Sequence, residues 1–200
     1  MLELQSLKTD LIRAEKLTVS AGDRVLLQGP SGSGKTHLLR VIADLVPWQG
    51  SIALDQQSSV DMSGPEWRQR VILVSADSHW WHHRVAAHFH APEAAPLTDI
   101  GLDNTILERD PQHLSSGEKQ RLALLRALDR SPRVLLLDEP CANLDTDATA
   151  LVEALLSRWC HQQQGHLIMT SHDAAQRKRL ADKHWRIDKG QVLEVGEPVT

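Results

Sequence analysis

The feature that most constrains this chain is a glycine-rich segment that matches the pattern G-x-x-x-x-G-K-[ST] at every fixed position. Its residues are Gly29, Pro30, Ser31, Gly32, Ser33, Gly34, Lys35 and Thr36. Glycines let a backbone turn tightly, so that successive N–H groups and the first turn of a following helix can point at phosphate oxygens. The pattern therefore predicts a loop that binds phosphate groups.

The flanking residues have the context that this pattern requires. Residues 24–28 are typical of a short apolar strand, and residues 37–43 have the apolar spacing of a helix. In such a unit, we expect Lys35 to reach the β- and γ-phosphates and the Thr36 hydroxyl to ligate Mg²⁺. A glycine-rich turn without a ligand is the alternative, but such a turn requires neither Lys35 nor Thr36.

Apolar runs alternate with helical patterns along the rest of the chain. Residues 2–19 predict one or two short edge strands. Further strands are predicted at 51–55, 71–74, 133–138, 166–170, 183–188 and 191–195, and helices at 115–130 and 146–163. The alternation predicts an α/β fold with a mainly parallel core. The weakly patterned residues 77–113 are the best candidate for a subdomain.

Chemically useful side chains stand at the ends of two of these strands. Asp138 and Glu139 follow an apolar run, at the strand end where α/β sheets place ligand chemistry. Asp138 can hold Mg²⁺ through water, and Glu139 can act as a general base towards an attacking water. His172 follows the strand at 166–170 and can hydrogen-bond a γ-phosphate. Taken singly, an acidic turn and a structural histidine are the alternatives.

A second anion site is predicted at the start of the helix at 115–130. Ser115 and Glu118 have the spacing of a capping box, and Ser116 and Gly117 expose backbone N–H groups at the helix N-terminus. A simple N-cap explains Ser115 equally well.

Together these segments resemble the ATP-binding-cassette (ABC) family, and specifically the nucleotide-binding subunit of an ABC transporter. The loop at 29–36 matches the Walker A motif, and residues 114–118 are similar to the LSGGQ signature. Asp138 with Glu139 matches Walker B and its catalytic glutamate. Residues 142–145 are similar to the D-loop, and His172 to the switch histidine. The motifs occur in the family's order and span nearly the whole chain.

The resemblance implies one nucleotide-binding domain over residues 1–200. It implies a P-loop NTPase core, N-terminal antiparallel β elements and a shortened helical subdomain at about residues 77–130. Its cofactors are ATP and Mg²⁺. The implied catalytic residues are Glu139, His172 and Lys35. The implied metal ligands are Thr36 and Asp138. The implied nucleotide-binding residues are those of the loop at 29–36 together with His37, Ser115, Ser116, Gly117, Glu118 and Asp145.

The family's pattern also implies partners and a location. Because the chain carries one copy of each motif, it is expected to form a head-to-tail homodimer around ATP. The dimer would drive separate transmembrane permease subunits from the cytoplasmic face of the inner (plasma) membrane.

Composition agrees with a cytoplasmic location for the chain. The N-terminal residues lack the features of a signal peptide, and no segment has the apolar length of a membrane span. With 22 basic and 26 acidic side chains the net charge is −4, so nucleic acid is not expected as a partner.

Two departures from the family's pattern concern the nucleotide site. Ala76 occupies the position where the family has a glutamine that touches Mg²⁺. Asp77 as a carboxylate facing the metal, or a water in the gap, is expected to take its place. The adenine-stacking aromatic is also missing, because no Phe, Trp or Tyr precedes Trp48. Adenine is therefore expected to rest on Arg13 or Ile12.

Histidines and tryptophans cluster at residues 79–90, where five of the eleven histidines fall within twelve residues. Transition-metal binding is one hypothesis. The favoured one is a coupling surface at which Trp80 and Trp81 bury themselves in a transmembrane partner.

Two other functions remain open from the sequence. One is a soluble ABC ATPase outside transport, and the other is an ATP-gated dimer that regulates a partner without useful turnover.

Overall fold

The computed structural model describes residues 1–171, 173, 176 and 179–196. The strands, in chain order, are β1 (Leu2–Lys8), β2 (Arg13–Val19), β3 (Arg24–Gln28), β4 (Gln49–Leu54), β5 (Gln57–Ser58), β6 (Val71–Val74), β7 (Val134–Leu137), β8 (His166–Thr170), β9 (Lys183–Asp188) and β10 (Gln191–Val195). The α-helices with both ends among these residues are α1 (Lys35–Ile42), α2 (Gly64–Arg70), α3 (Ser116–Leu128) and α4 (Thr146–Gln163). Gln176, Arg179 and Leu180 are also helical.

The strands form one ten-stranded sheet with the order β5-β4-β1-β2-β10-β9-β3-β8-β7-β6. Strands β9, β3, β8, β7 and β6 pair in parallel, whereas β5, β4, β1 and β2 pair antiparallel. Strand β10 joins the two parts, since it pairs antiparallel with β9 and parallel with β2. The predicted α/β fold, with a parallel core and N-terminal antiparallel β elements, is confirmed.

Strands β1 and β2 differ from the predicted short edge strands. Each has seven residues, and both lie inside the sheet, because β4 pairs with β1 and β10 pairs with β2. The edges are β5 and β6. The edge prediction was wrong because distant segments supply the neighbouring strands, and a local pattern does not record them.

Each face of the parallel core packs against its own buried cluster. In β7, Val134 and Leu136 join the cluster that contains α1, whereas Leu135 and Leu137 join the cluster that contains α3 and α4. Successive strand residues point to opposite faces, so a strand covered on both sides is apolar throughout. Because β3, β8 and β7 run parallel to one another, their carboxyl ends meet at one edge of the sheet.

The insert at 77–113 contains short 3₁₀ turns, and α3 is the α-helix described within the predicted helical subdomain. The turns are Val85–His88, Pro92–Ala94, Thr98–Ile100, Asn104–Glu108 and Pro111–His113. Prolines at 92, 96 and 111 lack a backbone N–H, which disfavours longer helices. The buried side chains of Val85 and Ile106 attach the insert to the cluster around α3.

Over the part of the chain that the structure describes, no helix combines the length and the apolar character needed to cross a membrane.

Candidate functional site

The glycine-rich loop connects β3 to α1, as predicted. Gly34 is the N-cap of α1 and has a φ of 104°, a conformation that favours glycine. A Cβ atom on Gly34 would lie 2.9 Å from the Ile12 side chain, and one on Gly29 would lie 2.6 Å from the Ser33 hydroxyl oxygen. Both glycines are therefore needed for the loop to close.

Two groups of this loop suit an anion. The Lys35 ammonium donates hydrogen bonds to the carbonyl oxygens of Gly29 and Pro30, at 2.9 and 3.0 Å, which holds its positive charge against the loop. The Ser33 hydroxyl is buried and has no hydrogen-bond partner among the described residues. Since buried polar groups are normally paired, this hydroxyl and the Lys35 charge fit a phosphate ligand.

The predicted metal ligands Thr36 and Asp138 are in contact. The Thr36 hydroxyl donates to one carboxylate oxygen of Asp138 at 2.6 Å, and the Thr170 hydroxyl donates to the other at 2.9 Å. Hydroxyl and carboxylate oxygens are the ligands that Mg²⁺ prefers, so the residues present fit this metal.

Glu139 follows β7 and is half-buried beside these oxygens. Its backbone N–H donates to the Thr170 hydroxyl at 2.8 Å, and its carbonyl accepts from the Gln120 side-chain amide at 2.7 Å. A cavity of about 670 Å³ is lined by Glu139, Cys141 and Ser171. Burial raises the pKa of the Cys141 thiol to about 11, so this group remains protonated at neutral pH.

The predicted capping box at the start of α3 is confirmed. The Ser115 hydroxyl accepts from the Glu118 N–H at 3.2 Å, and the Ser115 N–H donates to the Glu118 carboxylate at 2.8 Å. This backbone hydrogen bond holds the pKa of Glu118 below its usual range. Ser115 and Ser116 are exposed, so a ligand can reach the helix N-terminus.

Gly117 and two other residues predicted to bind nucleotide also make contacts within the protein. A Cβ on Gly117 would lie 3.1 Å from the Asn143 carbonyl oxygen, so this position packs on the predicted D-loop. The Asp145 carboxylate caps α4 by accepting from the Ala148 N–H at 2.8 Å. The His37 imidazole is 3.1 Å from the Thr9 hydroxyl, between β1 and β2. The structure does not bring His37 or Asp145 into contact with the metal-site oxygens.

Asp77 is exposed and lines a cavity of about 260 Å³ with Ala123, Arg126 and Arg130 of α3. Among the hydrogen bonds of the described residues, none joins Asp77 to Thr36 or Asp138. Its role at the metal stays a prediction.

His172, the predicted switch histidine, lies outside the described residues, and its role also stays a prediction.

The expected surfaces for adenine are only partly available. Ile12 is 1 % exposed, so it cannot support a base, and that part of the expectation was wrong. Leu11 is instead 60 % exposed. It lines a cavity of about 320 Å³ together with the loop residues 30–33 and the β9–β10 turn at 188–190.

The histidines at residues 79–90 do not converge as ligands. His88 is buried; its Nε2 accepts from the backbone N–H groups of Trp81 and His82, at 3.0 and 3.1 Å. The described residues contain no group of three or more His, Cys, Asp or Glu side chains that could hold a metal ion.

The two tryptophans of this segment lie against a cation of α3. The Arg126 guanidinium is 4.5 Å from the Trp80 ring centroid and 5.2 Å from that of Trp81, and Trp81 is 65 % exposed.

Sequence reasoning missed Thr170, Gln120 and Leu11. Thr170 ends β8 beside β7, a position of the same kind as that of Asp138, so the rule applied to Asp138 would have identified it. Gln120 belongs to the Gln-Arg pair that follows the signature in the family, but its contact with Glu139 has no local signal. Leu11 has none either, because both contacts depend on how α3 and the β1–β2 loop pack.

Comparison with known proteins places these motifs in a family. Residues 12–142 match the family model described as ABC transporter. The chain is 35 % identical to the Fe(3+) ions import ATP-binding protein FbpC of Pseudomonas fluorescens, over 92 % of this chain and 56 % of that protein. It is 33 % identical to the thiamine import ATP-binding protein ThiQ of Escherichia coli, over 90 % of this chain and 83 % of that protein. It therefore spans about half the length of FbpC and most of ThiQ.

Two solved structures share the fold. A dimeric ATP-binding cassette in a post-hydrolysis state, bound to ADP and Pi, has a TM-score of 0.82 at 21 % identity and covers 100 % of both chains. An ATP-binding subunit of an ABC transporter has a TM-score of 0.84 at 21 % identity, over 98 % of this chain and 90 % of that one.

Proposed function

This chain belongs to the ABC transporter family, and from that premise we propose that it is the ATP-binding and ATP-hydrolysing subunit of an ABC transporter. The observation that carries the proposal is the contact of Thr36 with Asp138, directly beside Glu139. This contact puts a phosphate loop, two oxygen ligands for a metal and a candidate general base at one edge of the sheet.

Each residue has a role in this proposal. The loop N–H groups, Lys35 and the Ser33 hydroxyl bind the phosphates. Thr36 and Asp138 would hold Mg²⁺, which neutralises phosphate charge when bound. Glu139 orients the attacking water and takes its proton. His172 contacts the γ-phosphate.

The proposed active form is a head-to-tail homodimer. Ser115, Ser116 and Gly117 would then bind the nucleotide held by the partner's loop, which agrees with the exposure of Ser115 and Ser116 at the N-terminus of α3. The chain has one copy of each motif, so two subunits are needed to complete two sites.

The proposed partners of the dimer are separate transmembrane permease subunits, which place the protein at the cytoplasmic face of the inner membrane. The surface formed by Trp80, Trp81 and Arg126 supports this part of the proposal. An exposed tryptophan held by a neighbouring cation suits a contact with an apolar partner element.

The first test is the substitution Glu139→Gln, which removes the general base and keeps the side-chain shape. We expect the wild-type chain to hydrolyse ATP, and the variant to lose about 100-fold or more in kcat while still binding ATP. Phosphate release measures the rate of hydrolysis by the purified wild-type chain and by the purified variant. Glu93→Gln, an exposed carboxylate in the insert, is the matched control and should keep wild-type turnover. Equal rates for the Glu139 variant and the wild type would remove Glu139 from the mechanism.

The second candidate function is the ATP-gated regulatory dimer, favoured by Ala76 in place of the family's glutamine and by the lack of a hydrogen bond from Asp77 to Thr36 among the described residues. Purification of tagged Glu139→Gln protein from solubilised membranes with ATP separates the two. Recovery of a multi-span protein in near-equal amount supports the transporter. Recovery of the dimer alone, or of soluble proteins only, would favour regulation.

A further inference from the structure

We propose that Gln120 and Thr170 are positioning residues that hold the backbone of Glu139 in the conformation its catalytic role requires. This inference rests on the proposed function, in which Glu139 is the general base.

The backbone of Glu139 has an uncommon conformation. Its φ is 53°, in the left-handed region that residues other than glycine rarely adopt. Glu139 directly follows β7, so the chain changes from extended to left-handed at this residue. Such a conformation persists where the surrounding structure holds it in place, and it is frequent at active sites.

Two buried side chains hold the two backbone polar groups of this residue. Thr170 accepts a hydrogen bond from the Glu139 N–H at 2.8 Å, and Gln120 donates one to the Glu139 carbonyl at 2.7 Å. Thr170 is 0 % and Gln120 is 6 % exposed. Loss of the Thr170 hydroxyl would take from the Glu139 N–H its partner at 2.8 Å, in a place that water reaches poorly. Loss of the Gln120 amide would take from the Glu139 carbonyl the shorter of two hydrogen bonds, since this carbonyl also accepts from the Ala142 N–H at 3.2 Å.

Thr170 also connects the general base to the metal site. The hydroxyl that accepts from the Glu139 N–H donates its own proton to Asp138, whose second carboxylate oxygen accepts from Thr36. One hydroxyl therefore sets the spacing between the carboxylate for the metal and the backbone of the general base.

Gln120 connects the general base to the signature. It lies on α3, four residues after Ser116, the first residue of that helix. In the proposed dimer, the N-terminus of α3 faces the partner's nucleotide. Gln120 thus gives that helix a direct hydrogen bond to Glu139 of its own subunit, through which a shift of α3 would move the general base.

The test uses substitutions that keep shape: Thr170→Val removes the hydrogen bonds of the hydroxyl to Glu139 and Asp138, and Gln120→Met removes only the hydrogen bond to the Glu139 carbonyl. Thr170→Val and Gln120→Met are each expected to lower the kcat of ATP hydrolysis by about 10- to 100-fold, because the general base is misplaced. KM for ATP should change by less than about 2-fold, because neither side chain touches the phosphate loop. Thr170→Ser restores the hydroxyl and should stay within about 3-fold of wild-type kcat.

A matched control separates positioning from loss of stability. Trp67 is 0 % exposed, and its indole N–H donates to the backbone carbonyl of Ile42 at 2.9 Å. Trp67→Phe also removes one buried donor, and it is expected to lower the unfolding midpoint in urea as Gln120→Met does, and to keep kcat. If Thr170→Val does not fold, Gln120→Met and Gln120→Glu, which both lack the donor, decide the test.

The inference is overturned by wild-type kcat in the variants that lack the Thr170 hydroxyl or the Gln120 amide. It is also overturned if Thr170→Ser or Trp67→Phe loses as much kcat as Thr170→Val and Gln120→Met do. Failure of the proposed function gives a different result: the wild-type chain does not hydrolyse ATP, or Glu139→Gln hydrolyses it at the wild-type rate.

Discussion

At the residue scale, the site consists of oxygen atoms brought together from distant parts of the chain. Thr36 and Asp138 are 102 residues apart, and Asp138 and Thr170 are 32 apart, yet one carboxylate bonds both hydroxyls. The contact of Thr36 with Asp138 agrees with the expectation that both residues are metal ligands. The base-binding surface agrees only in part, because Ile12 is buried whereas Arg13 is exposed, and Leu11, which was not expected there, is exposed and lines a cavity with the loop.

Leu11 therefore leads to a prediction at this scale. If the base rests on Leu11, Leu11→Trp should tighten ATP binding by about 1 kcal/mol, because stacking on an aromatic ring exceeds contact with an aliphatic side chain. Calorimetry of ATP and GTP binding in the Glu139→Gln background measures the change. Leu45→Trp, at a leucine that is 51 % exposed and does not line the cavity of Leu11, is the control. Equal affinities for the two tryptophan variants would place the base elsewhere.

At the element scale, α2 and α3 begin with the same capping box. Ser63 with Glu66 caps α2, and Ser115 with Glu118 caps α3. The identical local chemistry lets the two helices serve as a matched pair, in which only α3 has a proposed role in nucleotide binding.

We expect Ser115→Ala and Ser63→Ala each to lower the free energy of unfolding by about 1 kcal/mol, through loss of the N-cap. Only Ser115→Ala should also reduce ATP hydrolysis, because only that helix N-terminus faces the nucleotide in the proposed dimer. Urea unfolding and phosphate release measure the two effects. A similar loss of hydrolysis in both variants would assign the effect to stability alone.

Strand β8 begins with a buried histidine that makes stability depend on pH. His166 is 0 % exposed, its Nδ1 donates to the Ser20 carbonyl at 2.8 Å, and its Nε2 has no hydrogen-bond partner among the described residues. Burial lowers the pKa of His166, so the folded state holds the neutral ring. The unfolded chain, with a histidine pKa of about 6.5, binds more protons in acid than the folded chain does.

The free energy of unfolding is therefore expected to be highest above about pH 6.5 and to fall as the pH drops below it. Urea unfolding between pH 8 and pH 5 measures this slope. His166→Gln should reduce the slope, whereas His90→Gln, at an exposed histidine, should leave it unchanged. An unaltered slope in His166→Gln would assign the acid sensitivity to other groups, such as His88, whose pKa burial also lowers.

At the scale of the whole molecule, the insert presents the surface proposed for the membrane partner. Trp81→Ala should remove the permease from tagged Glu139→Gln protein, since buried tryptophans at interface centres are often worth about 2 kcal/mol or more. Its free energy of unfolding should change by less than about 0.5 kcal/mol, because Trp81 is 65 % exposed. Val60→Ala, at a side chain 73 % exposed in another part of the chain, is the control. Retention of the permease by Trp81→Ala would exclude this surface.

Local chemistry was sufficient to predict the strands of the parallel core and the helices that follow the motifs. Apolar runs identify strands covered on both faces, and Ser115 with Glu118 identifies a helix start, because both signals act within a few residues. The interior position of β1 and β2 could not be predicted, since it depends on hydrogen bonds to β4 and β10. The 3₁₀ turns of the insert had only weak signals, namely their prolines.

The sequence by itself therefore determined the phosphate loop, the alternation of strands and helices in the parallel core and the carboxylates at the end of β7, because these depend on residue type and short spacing. It did not predict β5 or α2. Only the tertiary structure decided that Ile12 is buried against the loop while Leu11 is exposed beside it. It alone decided that Thr170 and Gln120 hold the backbone of Glu139. Those contacts join side chains from different elements, and such contacts exist only after the sheet has brought its strand ends to one edge and α3 has packed against them.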